Sequence, residues 1–196
     1  MMTLKLRWMS LALLLSLAPL ALATKLVISG TPYVSKSGGY QIQFPTDWRW
    51  DKAGANSSAS RDGNDLDMIY VNFLKHKNAF AAIKKSSAVD MSPQDLAENV
   101  IAEFKTARGL ENIDLLSNEP VSLGGQPAFR LHLKFRTPVQ AGALTYEEIV
   151  VGATSATGLT LVGFRGPAIH YFPTYLPNFE QSVATFQFSA VKPAPH

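Results

Sequence analysis

Residues Phe129 to Arg136 read FRLHLKFR, which sets Arg130, His132, Lys134 and Arg136 on one parity and Phe129, Leu131, Leu133 and Phe135 on the other. Successive side chains of a strand point to opposite faces, so an extended chain here carries one basic row and one apolar row. The chemistry open to the basic row is charge-based binding of an acidic partner. The plainer reading is the wet side of a sheet. Downstream lie two adjacent acids, Glu147 and Glu148. Neighbours on a strand face opposite ways, so they cannot flank one substrate bond as paired catalytic carboxylates must. Their expected use is local, with one of them reaching the basic row. If the strand that follows pairs back on this one, residues whose numbers sum to about 281 lie opposite each other, so Lys134 should meet Glu147 or Glu148.

Motifs that dictate a reaction are absent. The chain has no G-x-S-x-G, no G-x-G-x-x-G, no phosphate-binding G-x-x-x-x-G-K and no H-E-x-x-H. His76, His132 and His170 are scattered, and none has a ligand partner at metal-site spacing. A calcium loop beginning at Asp62 would need Gly at its sixth position and Glu at its twelfth, where Asp67 and Phe73 stand. No catalytic, metal or cofactor residue is assigned, and the expectation is a protein that is not an enzyme. Lys75, His76, Lys77, Lys84 and Lys85 form a second basic patch, read as a solvated edge that discourages strand-to-strand aggregation. Trp48 and Trp50 share a parity and are read as a plug for one end of the core.

These residues must be positioned by strands and two helices. KLVIS and YQIQF read as strands, Pro45 ends the second, and SRDGNDLD is a loop with hairpin chemistry around Asp62-Gly63-Asn64. LDMIYVNFL is apolar on both parities and belongs mid-sheet. AFAAIKKSS is a further strand candidate, against the helix preference of its alanines and lysines. Ser92, Pro93 and Asp95 open a helix as N-cap, first helical residue and capping-box acid. Leu96, Ala97, Val100, Ile101 and Phe104 then recur at helical spacing, and Gly109 stops it. Strands follow at IDLLSNEPVSLGG, PAFRLHLKFR, LTYEEIVVGA and LTLVGFR. A helix over about 173–185 should bury Leu176, Phe179 and Val183 before a last strand at FQFSA. Strands, helix, four strands, helix and strand in that order argue an α+β fold with an antiparallel β-sheet and packed helices.

The first 23 residues read as a signal peptide: Lys5 and Arg7, the apolar run LALLLSLAPLALA, and an Ala-x-Ala ending at Ala23. Ser10, Ser16 and Pro19 interrupt the run near the roughly 20 apolar residues a membrane helix needs. The expected mature chain is one domain over 24–196, with a flexible tail from about 189, and with no integral membrane segment after cleavage. Export to the periplasm, or secretion, is the expected location. With no cysteine in the chain, the fold must hold by packing alone. The formal net charge of +3 falls to +1 once Lys5 and Arg7 are removed, so the balance of charge implies no nucleic-acid partner.

GGYQIQFPTDWRW resembles the opening of the PsbP family, in which an aromatic-containing strand runs into Pro and then Trp. LGGQPAFRLHLKF, LTYEEIVVGATSATGLTLVGF and YLPNFEQSVATFQF resemble the same family in order, and the likeness spans most of Tyr40 to Phe188. The resemblance implies the PsbP/Mog-like α/β/α sandwich, found in photosystem II extrinsic proteins, Ran-binding Mog proteins and many bacterial exported proteins. It further implies a non-catalytic accessory or protein-binding role toward an unidentified protein or membrane-bound complex. The family's metal-binding histidines and acids have no match here, so no metal is carried over. The alternative is a small periplasmic hydrolase or ligand-binding protein with a loop-assembled site. Converging polar groups in a pocket would favour that alternative.

Overall fold

A computed structural model of the chain describes residues 27–28, 31–110, 112–137 and 144–189. The signal-peptide reading (1–23), most of the TPVQAGA turn and nearly all of the expected tail lie outside the described residues. Among the described residues, eleven strands and two α-helices run in the order β1 (Val27–Ile28), β2 (Tyr33–Ser35), β3 (Tyr40–Ile42), β4 (Arg49–Ala53), β5 (Asn56–Ser60), β6 (Met68–Lys75), α1 (Pro93–Arg108), β7 (Ile113–Leu123), β8 (Gln126–Thr137), β9 (Leu144–Ser155), β10 (Gly158–Pro167), α2 (Tyr171–Ala184) and β11 (Gln187–Phe188). Eight of the strands form an antiparallel sheet in the order β1-β4-β5-β6-β10-β9-β8-β7, and β11-β3-β2 form a second, smaller sheet.

Each face of the large sheet buries its own apolar set. On one face Leu96, Ala97, Val100 and Phe104 of α1 pack on Leu131 and Leu133 of β8, Val150 of β9, and Leu159 and Leu161 of β10. On the other, Phe172 and Phe179 of α2, with Tyr40 and Ile42 of the small sheet, pack on Ile69, Val71, Val151, Val162 and Phe164. The result is the expected α+β architecture with an antiparallel sheet between layers, an α/β/α sandwich.

Local chemistry explains the first helix. Ser92 Oγ accepts a hydrogen bond from the Asp95 backbone N–H at 3.1 Å, Pro93 occupies the first helical position, and Gly109 closes the helix at φ 60 in the left-handed region. A cap of this kind contributes about 1 kcal/mol, and Gly109 takes a conformation that a Cβ would disfavour. Trp48 is fully buried and meets Tyr175 edge-on, while half-buried Trp50 packs on Tyr33 at the border of the same core.

Three expectations need correction. AFAAIKKSS is not a strand: after a 3₁₀ turn at His76–Asn78 it forms turns with a single bridge, Phe80 to Lys85. Ala79 and Phe80 are drawn under α1, and burial of that ring overrides any strand pairing. The second helix begins earlier than expected, at Tyr171, because Phe172 stacks on Phe164 with ring centroids 5.4 Å apart. Phe172 and Phe179 are therefore its buried anchors, while Leu176 and Val183 are only partly buried. FQFSA contributes only a two-residue strand, which joins the small sheet.

Candidate functional site

The basic row lies on the α2 side of β8, opposite the leucines that meet α1. Arg130 makes a two-pronged ion pair with Glu180 of α2. His132 Nε2 lies 2.9 Å from Glu147 Oε2, and its ring stacks on Phe172 with centroids 5.4 Å apart. Lys134 is opposite Glu147 in the ladder, as the summed numbering requires, and its Nζ is 3.8 Å from Glu147 Oε1. Arg130 and His132 are half-buried against α2, Lys134 is half-buried farther along β8, and Arg136 is exposed. Among the described residues, no carboxylate pairs with Arg136. The second basic patch splits: Lys75, Lys77, Lys84 and Lys85 are exposed, while His76 is held by Ser87 Oγ at 2.8 Å and the Ser155 carbonyl at 3.0 Å.

Glu148 points the other way and is fully buried. Arg108, the last residue of α1, donates from Nη1 to Glu148 Oε2 at 2.6 Å, and the Tyr70 hydroxyl donates to Glu148 Oε1 at 2.6 Å. Burial, and then the negative charge of Glu148, push the Tyr70 hydroxyl well above its ordinary value. Burial works against the charge on Arg108, but Glu148 more than offsets it and the guanidinium is held above its usual range. The Tyr70 ring reaches Glu148 by crossing Gly163 of β10, where a Cβ would sit 2.2 Å from the ring. A glycine is required there by close approach.

Beside this triad α1 stops, and the sheet face over β4, β5 and β6 is left open. A recess of about 270 Å³ is lined there by residues that include Asp51, Ser58, Tyr70, Asn72, Arg108 and Arg165. The Nε of Arg165 is buried with no hydrogen-bond partner. Sequence reading missed this site because its members come from β4, β5, β6, α1 and β10, with no spacing to connect them. The available signal was Arg165 itself, a cation closing the otherwise apolar run LTLVGFR.

The Asp62–Asp67 loop is braced by internal hydrogen bonds. Asp67 is fully buried and accepts from Ser60 Oγ and from the backbone N–H groups of Arg61 and Asp62 at 2.9 to 3.0 Å. Burial raises its carboxyl from the ordinary value, opposed by those donors. Among the described residues, no cluster of three or more metal-ligating side chains occurs, and no helix is long and apolar enough to cross a membrane.

A three-layer sandwich with this strand order and these two helices defines the PsbP/Mog1-like fold. The Ran-binding protein Mog1p of Saccharomyces cerevisiae superposes with a TM-score of 0.54 at 11% identity, over 83% of this chain and 96% of its own. Cyanobacterial PsbP from Synechocystis superposes at 0.52 and 16% identity, over 83% and 94%. LpqN of Mycobacterium tuberculosis, described as involved in cell envelope biogenesis, superposes at 0.54 and 14% identity, over 81% and 90%. No family model matches the chain, and no curated protein matches its sequence.

Proposed function

We propose that this chain is an exported, non-catalytic binding domain that presents a surface to a periplasmic or membrane-bound protein complex. The observation that carries the reading is the exposed end of the basic row: Asp114 and Glu119 of β7 stand opposite Lys134 and Arg130, and Arg136 lies beyond both. Glu147 is shared by His132 and Lys134, Glu180 serves Arg130, and Arg136 at the outer end meets no carboxylate among the described residues. An exposed cation left over at the end of a held row suits an acidic partner surface, because such charges steer encounter and set specificity. Arg130, His132, Lys134 and Arg136 are thus the proposed partner surface, with Arg130 and His132 as its fixed inner half. The Ran-binding role named for Mog1p supports a protein partner, and the envelope role named for LpqN supports the location.

Affinity capture from envelope extracts with the mature protein tests this reading. Recovery of one reproducible complex is expected, and recovery of nothing above a control of unrelated charge-matched protein would reject it. Intact-mass measurement of the exported protein should give a chain beginning at Thr24; retention of residues 1–23 would contradict the signal peptide.

One observation favours the second reading, a periplasmic ligand-binding protein or hydrolase. Tyr70 and Arg108, which both hold their protons more tightly than usual, border the recess.

A further inference from the structure

We infer that the recess beside Tyr70 binds the carboxylate of a small monoanionic ligand, with Arg165 as its charge partner. This goes beyond the protein-partner reading, since the recess lies on the opposite face of the sheet from the cationic row.

Placement of the groups comes from the register. Arg165 on β10 is opposite Met68 of β6 and Glu148 of β9. Tyr70 is two residues along β6 from Met68 and so shares its face, as does its ladder partner Ser58. The helix that covers this face elsewhere ends at Arg108, so the floor of the recess is sheet and one wall is the end of α1.

The charges in the recess are not balanced. Arg108 is neutralised by Glu148, and its position and that of the Tyr70 hydroxyl are fixed by that carboxylate. Asp51 and Lys52 on the rim oppose each other in sign. Arg165 is left without a carboxylate: among the described residues it makes no ion pair, its guanidinium lies 6.0 Å from the Tyr146 ring centroid, and its Nε–H is buried without an acceptor. A guanidinium keeps its proton in proteins and presents N–H groups in a fixed fork, which a carboxylate fits with two parallel hydrogen bonds. The Nε–H is sealed from the recess, so a ligand carboxylate meets the terminal Nη1 and Nη2 groups, which the buried Nε holds in place. One cation without a carboxylate, with Asp51 at the rim, suits a single negative charge; a phosphate dianion would meet Asp51 as a like charge. Ser58 and Asn72 on the floor can then hydrogen-bond the polar body of such a ligand.

The test is titration of the exported, isotope-labelled protein with sodium acetate and, separately, sodium phosphate, at ionic strength held constant with chloride. The Arg165 Nε–Hε resonance and the Ser58 and Asn72 amides are followed by NMR. Acetate should produce saturable shifts in all three, in the millimolar range expected of so small a fragment. Arg165→Lys keeps the charge but loses the fork, and should weaken acetate by about tenfold or more; Arg165→Gln should abolish saturation while the remaining spectrum stays that of the folded protein. No saturable change with acetate up to about 100 mM, far above that range, overturns the inference. So does an equal response from both variants, or phosphate binding more tightly than acetate. A failed capture experiment would leave these outcomes untouched.

Discussion

Glu147 and Glu148 are adjacent in the chain, yet they sit in two regions with different physics. Glu147 is partly open on the α2 side and is shared by His132 and Lys134. Glu148 is sealed on the α1 side between Arg108 and Tyr70. The contrast teaches that the period of two along β9 sorts equal side chains into unequal roles. A pair in high dielectric contributes little, whereas a carboxylate out of water must keep its partners.

Variants can break that contrast at several levels. On the sealed side, Arg108→Met leaves Glu148 buried without its ion-pair partner, and should destabilise by about 3 to 5 kcal/mol. Denaturant melts measure it. Replacing Arg108, Glu148 and Tyr70 together by Met, Leu and Phe should recover most of the loss, since the triad's desolvation is then removed with its attraction. Phe104→Ala acts on the same side, because the Phe104 ring packs into the core beneath α1 and carries the Arg108 guanidinium 3.7 Å from its centroid. Truncating a buried aromatic costs about 3 to 5 kcal/mol. A loss below about 1 kcal/mol would place the buried stripe of α1 on the wrong side.

Gly163→Ala sharpens the comparison by moving Tyr70 without touching a charge. The added methyl meets the ring, and the overpacking should destabilise by about 1 to 3 kcal/mol. Tyrosine absorbance on alkaline titration should then show a group ionising at lower pH than in the parent, as burial and contact with Glu148 are loosened. On the open side, Arg130→Gln removes the pair with Glu180, whose side chain is 44% exposed, so the loss should stay within about 0.2 to 1 kcal/mol.

The two regions also differ in how far the sequence disclosed them. The basic row, the Lys134–Glu147 register, the Ser92 cap and the Gly109 stop are local signals, each set by parity, spacing or one residue's backbone preference. β6, apolar on both parities, lies between β5 and β10 as a mid-sheet strand should. The hairpin of β4 and β5 gave no such signal: RWDKAGANSSAS is polar and serine-rich, and becomes strand only by pairing onto β6. The recess is less legible still. Tyr70, Arg108, Glu148 and Arg165 converge only after β10 has paired with both β6 and β9, so no local pattern could place them together.

The outer end of the β8 row is the proposed meeting point with an acidic partner. Its most direct test is capture of the envelope complex by the parent protein and by a Lys134→Gln, Arg136→Gln double variant, across a series of salt concentrations. The variant should fold with nearly parental stability and its capture should be weakened most at low salt, where the charges are least screened. Equal capture by parent and variant at every salt concentration would contradict it.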